Sequence, residues 1–384
     1  MILYGRQWID AADEAAVLEV LRSDFLTQGP AVPRFEQALR DATGATHAVA
    51  MNSATSALHV ACLALGLGAG DRLWTTPNTF VASANCGRLC GAEVDFVDID
   101  PKTLNLDPSA LAAKLEAAER NGILPKVVVP VDFAGLPADI AAIRRLADRY
   151  GFRIIEDASH AIGATDGDRR VGSGRSADIT VLSFHPVKIV TTAEGGAALT
   201  DDPALAHAME LTRTHGITRD PARMHRQSEG PWYYEQVALG LNYRMTDLQA
   251  ALGASQMRRL QEFVRRRTEL ADRYDALLHG LPVTSAPRRV GARSAWHLYV
   301  VQLADALESR RRTIFESMRA AGIGVNVHYI PVHLQPYYRD RGFRVGDFPA
   351  AERYYRCAIT LPLHPLLTDA EQDAVVAALR EAVG

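Results

Sequence analysis

Apolar and polar positions alternate along the chain in a way that predicts a layered fold. A helical period from Asp10 to Leu21 predicts a short N-terminal helix. Residues 46–53 (THAVAMNS) read as a strand, and residues 55–71 (TSALHVACLALGLGAGD) as a helix ending in glycines and a turn. Strand-like runs follow at 72–77 (RLWTTP) and 92–100 (AEVDFVDID), then a helix over 107–120 with Asp107 as its cap. The apolar run 126–133 (KVVVPVDF) has the form of a strand buried on both faces. Residues 139–151 predict a helix stopped by glycine, and 152–157 (FRIIED) and 177–184 (ADITVLSF) two more strands. Repetition of strand and helix specifies an α/β layer structure with a mainly parallel central sheet.

The pattern changes near residue 246. Thr246 to His279 keeps a helical period without proline, predicting one long connecting helix. Beyond it the pattern is α+β: strand 297–303, helix 308–322, strand 325–329 (VNVHY) and a final helix 369–383. The expected division is a large α/β domain over residues 1–250 and a smaller α+β domain over 251–384. The arginine runs 265–267 and 310–312 fall on helices and read as solvated faces.

Composition narrows the classes. With 384 residues, 48% of them hydrophobic, and a formal net charge of -3, neither a disordered chain nor an electrostatic nucleic-acid binder is expected. Four cysteines (Cys62, Cys86, Cys90, Cys357) make no disulfide framework and read as reduced thiols. The first residues lack the charged and apolar regions of a signal peptide, and no apolar run reaches about 18 residues, the length of a membrane span. A cytoplasmic protein with no membrane partner is expected. Of 42 basic residues only Lys102, Lys114, Lys126 and Lys188 are lysine, and the first three, in turn or helix contexts, read as solvent-facing.

Three motifs are decoys. Gly66, Gly68 and Gly70 follow a helix, whereas a dinucleotide loop needs a strand before it and a helix after, so they read as turn glycines. His328 and His333 flank Pro331 without a glutamate at helical spacing, so no zinc site, and no metal, is expected. No G-x-S-x-G elbow anchors a hydrolase triad.

The chemistry gathers around residues 183–202 (SFHPVKIVTTAEGGAALTDD), where a strand ends in a turn carrying Lys188, followed by hydroxyl residues, two glycines and another strand. A lysine at the C-terminal edge of a sheet points into the crevice where α/β proteins bind ligands. Burial can lower its pKa enough to free a nucleophilic amine. Asp157 ends the strand FRIIED and His160 follows three residues later, so both can face the same crevice. Thr55 and Ser56 stand at a helix N-terminus, where unpaired N–H groups and the helix dipole suit a phosphate. A phosphate cradle, a carboxylate and a lysine are what pyridoxal phosphate requires, the carboxylate keeping the pyridine nitrogen protonated.

The order of these motifs resembles the DegT/DnrJ/EryC1/StrS family of sugar aminotransferases, fold-type I pyridoxal-phosphate enzymes. The resemblance runs over nearly the whole chain. It rests on LTQGP (26–30), NSATSALH (52–59), TTPNTFVASAN (75–85), VDFAG (131–135), EDASHAIG (156–163), SFHPVK with TTAEGG (183–196), LNYRMTDLQAALG (241–253) and VNVHYIPVH (325–333). Within the family it is closest to the branch that makes UDP-4-amino-4,6-dideoxy-N-acetyl-β-L-altrosamine for pseudaminic acid.

The resemblance implies roles. Lys188 would carry the cofactor and move the proton, Asp157 would meet the pyridine nitrogen, and His160 would lie near the ring hydroxyl. Phe80 would stack on the ring. Ala54, Thr55, Ser56 and Ser183 would hold the phosphate or adjacent groups, and Asn242 would reach the site from the second subunit of a homodimer with shared active sites. Tyr4, the stretch Asp24, Phe25, Leu26 and Thr27, and the stretch Asn326, Val327, His328 and Tyr329 would line a nucleotide-sugar site. Arg244 and Arg6 are candidate cations for the diphosphate and the donor carboxylate. The implied reaction is ping-pong transamination from L-glutamate, leaving as 2-oxoglutarate, to the C4 ketone of a UDP-4-keto-6-deoxy sugar. Other readings are a different dTDP- or UDP-linked keto sugar, a pyridoxamine-dependent dehydratase, or a non-catalytic regulator. Dehydratase relatives replace the lysine by histidine, so Lys188 favours transamination.

Overall fold

In the computed structural model, which describes residues 1–174 and 176–384, the alternating pattern builds a seven-stranded sheet. Its strands are β1 (His47–Met51), β2 (Arg72–Thr75), β3 (Glu93–Phe96), β4 (Val127–Val129), β5 (Arg153–Asp157), β6 (Ile179–Ser183) and β7 (Gly196–Thr200). They lie in the order β1-β7-β6-β5-β4-β2-β3, parallel throughout except that β7 runs antiparallel to both neighbours. β4 is buried at every position, as a strand covered on both faces must be. The crossover helices begin and end on the expected signals. Asp107 caps Pro108–Asn121 through the Ser109 amide, and Gly151 ends Ile140–Tyr150 in the left-handed conformation, φ 80°. This wiring places Asp157 and Ser183, the last residues of β5 and β6, at the same edge of the sheet.

The C-terminal part forms a three-stranded antiparallel sheet from β8 (Val283–Thr284), β9 (Tyr299–Leu303) and β10 (Ala358–Leu361). The first residues of the chain lie on it, with Ile2 N donating to Gly322 O and Leu363 N to Tyr4 O. One buried apolar cluster joins Val129 and Ile155 of the large sheet to Tyr299 and Ile359 of the small one.

Four expectations change. The single helix expected over 246–279 is two, Asp247–Met257 and Leu260–Leu277. The break falls where Gln256 and Arg259 both reach back to the Trp8 carbonyl and the Asp13 carboxylate, an anchor that a continuous helix does not supply. The segment 325–329 is not a strand. Its only ladder contact is Asn326 with Thr360, and the rest of its backbone runs irregularly past the sheet edge. Arg267 is no solvated face but is buried at 1% exposure, its guanidinium donating to the carbonyls of Trp296, His297 and Leu363 at 3.1, 3.3 and 3.0 Å. Lys114, expected in solvent, packs over the Trp74 ring and pairs with Asp95 at 2.6 Å.

Candidate active site

A cavity of about 530 Å³ opens at the sheet edge where β5 and β6 end. Asp157 enters it from β5, with Ser83 Oγ donating to Oδ2 at 2.6 Å and the Ser159 amide to Oδ1 at 3.1 Å. Both oxygens are thus oriented by neutral donors, leaving the negative charge for a cationic ring nitrogen. Ser83 is itself fixed by Thr79, whose hydroxyl lies 2.8 Å from its own.

Lys188 follows β6 through a turn closed by its amide on the His185 carbonyl. Its Nζ lies 3.5 Å from His297 Nε2. Burial pulls its pKa down to about 8, against the opposing pull of the Asp157 charge. At that value both the ammonium and the free amine are populated near neutral pH.

His160 is held neutral, its pKa driven well down by burial and then by the Lys188 charge. The Ala134 amide donates to its Nδ1 at 3.2 Å, from a turn in which Ala134 has φ 59°. A backbone N–H can only donate, so Nδ1 carries the lone pair and Nε2 the hydrogen. That hydrogen faces the Tyr329 hydroxyl at 3.2 Å, which therefore accepts and keeps its own proton for the cavity. Burial raises the Tyr329 pKa, so the phenol stays protonated.

Opposite these groups stands the N-terminus of the helix Ala54–Ala64. Ser53 caps it by accepting from the Ser56 amide at 3.1 Å, which leaves the amides of Ala54 and Thr55 for an anion. The double glycine has a steric reason here. A Cβ on Gly196 would collide with Ala54 N and the Ser53 carbonyl carbon, and one on Gly195 with Thr192 and Met245. Strand β7 approaches the helix end closely only because residue 196 has no side chain. Helix amides, a hydroxyl at Ser183, an uncompensated carboxylate and a depressed lysine together fit the phosphate, ring nitrogen and aldehyde of pyridoxal phosphate.

Of the residues expected in the site, Ala54, Thr55, Ser183, Lys188, Asp157 and His160 line this one cavity. So do Tyr4, Phe80 and the stretch Asn326 to Tyr329, with Phe80 at the mouth, 58% exposed. Ser56 does not. Its hydroxyl is spent on Asn52 Oδ1 at 2.6 Å, behind the cap. Asn242, Arg244 and the stretch Asp24 to Thr27 also stay outside the cavity of their own chain, and the exposed Arg6 does not line it either, though it shares a small neighbouring cavity with Lys188. Leu26 and Thr27 are pinned to the chain at Asp247 and Thr246, so both outlying groups share one surface region.

The sequence alone did not single out Ser83, Thr79, His297 or Glu194, all of which line the cavity. Ser83 and Thr79 sit inside TTPNTFVASAN, and a serine four residues beyond a threonine at a helix start was the available signal. His297 carried none, since it precedes a strand from a distant part of the chain.

The model of the DegT/DnrJ/EryC1/StrS aminotransferase family matches residues 7–380. The chain belongs to that family. Among relatives, the Bacillus subtilis spore coat polysaccharide biosynthesis protein SpsC is 41% identical over 99% of this chain and 96% of its own length. Among solved structures, Helicobacter pylori PseC, an aminotransferase involved in the biosynthesis of pseudoaminic acid, superposes with a TM-score of 0.91 at 31% identity, covering 100% of this chain and 99% of that one. The PMP-form of Spr1654 from Streptococcus pneumoniae gives 0.90 at 30% identity, covering 100% and 99%. As a DegT/DnrJ/EryC1/StrS aminotransferase the protein is a pyridoxal-phosphate enzyme acting on a sugar. Among the described residues, no helix is long and apolar enough to cross a membrane.

Proposed function

We propose that this aminotransferase moves an amino group from L-glutamate to C4 of a UDP-4-keto-6-deoxy-N-acetylhexosamine, giving UDP-4-amino-4,6-dideoxy-N-acetyl-β-L-altrosamine for pseudaminic acid. The observation that carries this reading is the cavity joining Lys188 to a free helix N-terminus, in a chain similar throughout to H. pylori PseC. When bound, pyridoxal phosphate supplies an electron sink for the carbon that loses its proton. The chain does the rest. The amides of Ala54 and Thr55 and the Ser183 hydroxyl would hold the phosphate, Asp157 would accept from the ring nitrogen, and Phe80 would stack on the ring. Lys188 Nζ would take the proton from the donor carbon as a base and give it up as an acid within the same half-reaction, and in the second half-reaction it would deliver a proton to C4 of the sugar. Tyr329, with His160 donating to it, offers its O–H to an oxygen of the bound ligands.

The cations for the donor carboxylate and the diphosphate point to a homodimer. Among the described residues, no arginine lines the cavity. Asn242 and the stretch Asp24 to Thr27 stand exposed, with Phe25 at 54% and Leu26 at 48%, and Trp232 and Leu239 on the adjoining segment at 71% and 89%. A second subunit covering that region would bury the apolar surface and bring Asn242, Arg244 and residues 24–27 to the site it shares.

A second reading keeps the chemistry and changes the sugar. The higher identity to SpsC favours a keto sugar destined for another surface polysaccharide. A panel of UDP- and dTDP-linked 3- and 4-keto sugars, each with L-glutamate, separates the two. Preference for the UDP-4-keto-6-deoxy-N-acetylhexosamine supports the proposal, and preference for a dTDP sugar overturns it. Amino sugar and 2-oxoglutarate in equal amounts exclude dehydration.

A further inference from the structure

We propose that His297 is a further catalytic residue, whose Nε2 lone pair accepts a hydrogen from the Lys188 ammonium and holds the proton that this amine carries between steps. The inference rests on the reading of Lys188 as the working amine, and it concerns a residue to which that reading gives no role.

The geometry is specific. His297 Nε2 is the one side-chain partner of Lys188 Nζ among the described residues, at 3.5 Å. An ammonium has only hydrogens to offer, so against it Nε2 must present its lone pair and the ring must carry its hydrogen on Nδ1. Nδ1 is buried without a partner. A histidine that merely filled space would turn either nitrogen to a partner of its own. This one leaves a nitrogen unpaired, at a cost, and faces the amine with the other.

The ring is fixed from behind and from the side. Arg267, buried and without a carboxylate, holds the carbonyls of Trp296 and His297, and the His160 ring packs 4.4 Å from the His297 ring between centroids. The titratable and charged groups that share a cavity wall with the amine are Asp157, Glu194, Tyr4, Tyr329 and four histidines, with Arg6 and Arg267 behind it. Asp157 on β5 favours the ammonium. His160, His297 and His328 are each held neutral by burial, and the Lys188 charge pushes each further that way, whereas at the exposed His185 partial burial lowers the pKa against the pull of Glu194, with the Lys188 charge adding to the lowering. A neutral imidazole is therefore available as an acceptor throughout the working pH range.

The consequence is a balance. Burial favours the free amine, whereas the Asp157 charge and the His297 acceptor favour the ammonium. Lys188 must exist in both states within one turnover, so removing the acceptor biases the pair toward the free amine and leaves too little ammonium to return a proton.

Competitive acetylation of the cofactor-free full-length protein with trace acetic anhydride, read by peptide mass spectrometry, tests this directly. Four lysines give four resolved midpoints, and Lys114, protected by Asp95 and Trp74, reports whether the fold is intact. In His297→Phe and His297→Leu, neither of which offers an acceptor, the Lys188 midpoint falls by about one pH unit. Its reactivity at pH 7 rises severalfold, on the order of a factor of 5. In His297→Gln, whose amide oxygen accepts, the midpoint stays near that of the wild type. An unmoved midpoint in the Phe and Leu variants with Lys114 still protected, or an equal shift in all three, overturns the proposal. Failure of the reading of Lys188 itself shows elsewhere, as a cofactor attached to a different lysine.

Discussion

Lys188→Met should make the cofactor-free protein more stable at neutral pH, and the gain should vanish in alkali. In the folded chain the amine titrates at about 8, against 10.5 for an ordinary lysine. A pKa lowered by folding means the ammonium is worse off in the folded state than in the unfolded one. Below pH 8 both states are protonated and the full penalty applies. Between the two values the unfolded chain binds more protons, so stability rises with pH, and above 10.5 nothing is left to recover. The difference of 2.5 units corresponds to about 3 kcal/mol at pH 7, falling to about 1 kcal/mol at pH 10. Methionine matches the side chain in length and carries no charge, so it removes the penalty and keeps the packing. The assay is denaturant unfolding of both proteins without cofactor at pH 7 and pH 10, reading the difference between them so that other groups cancel. A variant no more stable than the wild type at pH 7 refutes the argument. So does a gain of equal size at both pH values, which would trace it to packing instead of charge.

Three further outcomes follow from the same geometry. Ser83→Ala removes the hydroxyl that donates to Asp157 Oδ2, and should lower stability by about 2 kcal/mol in denaturant unfolding while weakening cofactor retention in equilibrium dialysis. Gly196→Ala forces a Cβ against Ala54 N, where backbone stands on both sides, and should reduce pyridoxal-phosphate affinity at least ~10-fold in a fluorescence titration. Arg267→Met strips the donor from three buried carbonyls and should cost about 3 kcal/mol or more in the same unfolding assay. Arg267→Lys should recover little of this, because an ammonium lacks the planar fork that spans the three.

Much of this architecture was legible because local signals agreed with the global fold. β4 is an unbroken apolar run, Asp107 and Gly151 punctuate their helices, and Asp157, His160 and Lys188 meet because parallel strands end at a common edge. What escaped was decided by partners distant in sequence. Arg267 reads as one of three surface arginines until the carbonyls of residues 296, 297 and 363 are brought to it. The segment 325–329 alternates like a strand, yet only Asn326 finds a ladder partner, and the residues after it serve the cavity. Helix 246–279 has an unbroken period, but its break is set by Trp8 and Asp13. His297 lies more than a hundred positions from the lysine it faces, and nothing local marks it.

The account stands on Lys188 being the amine that holds pyridoxal phosphate. Borohydride reduction of the loaded protein, followed by peptide mapping, tests this most directly, because only four lysines can carry the label. The pyridoxyl mass is expected on the peptide containing Lys188 alone and absent from Lys188→Ala. Stoichiometric label on Lys102, Lys114 or Lys126, or label retained in Lys188→Ala, would contradict it.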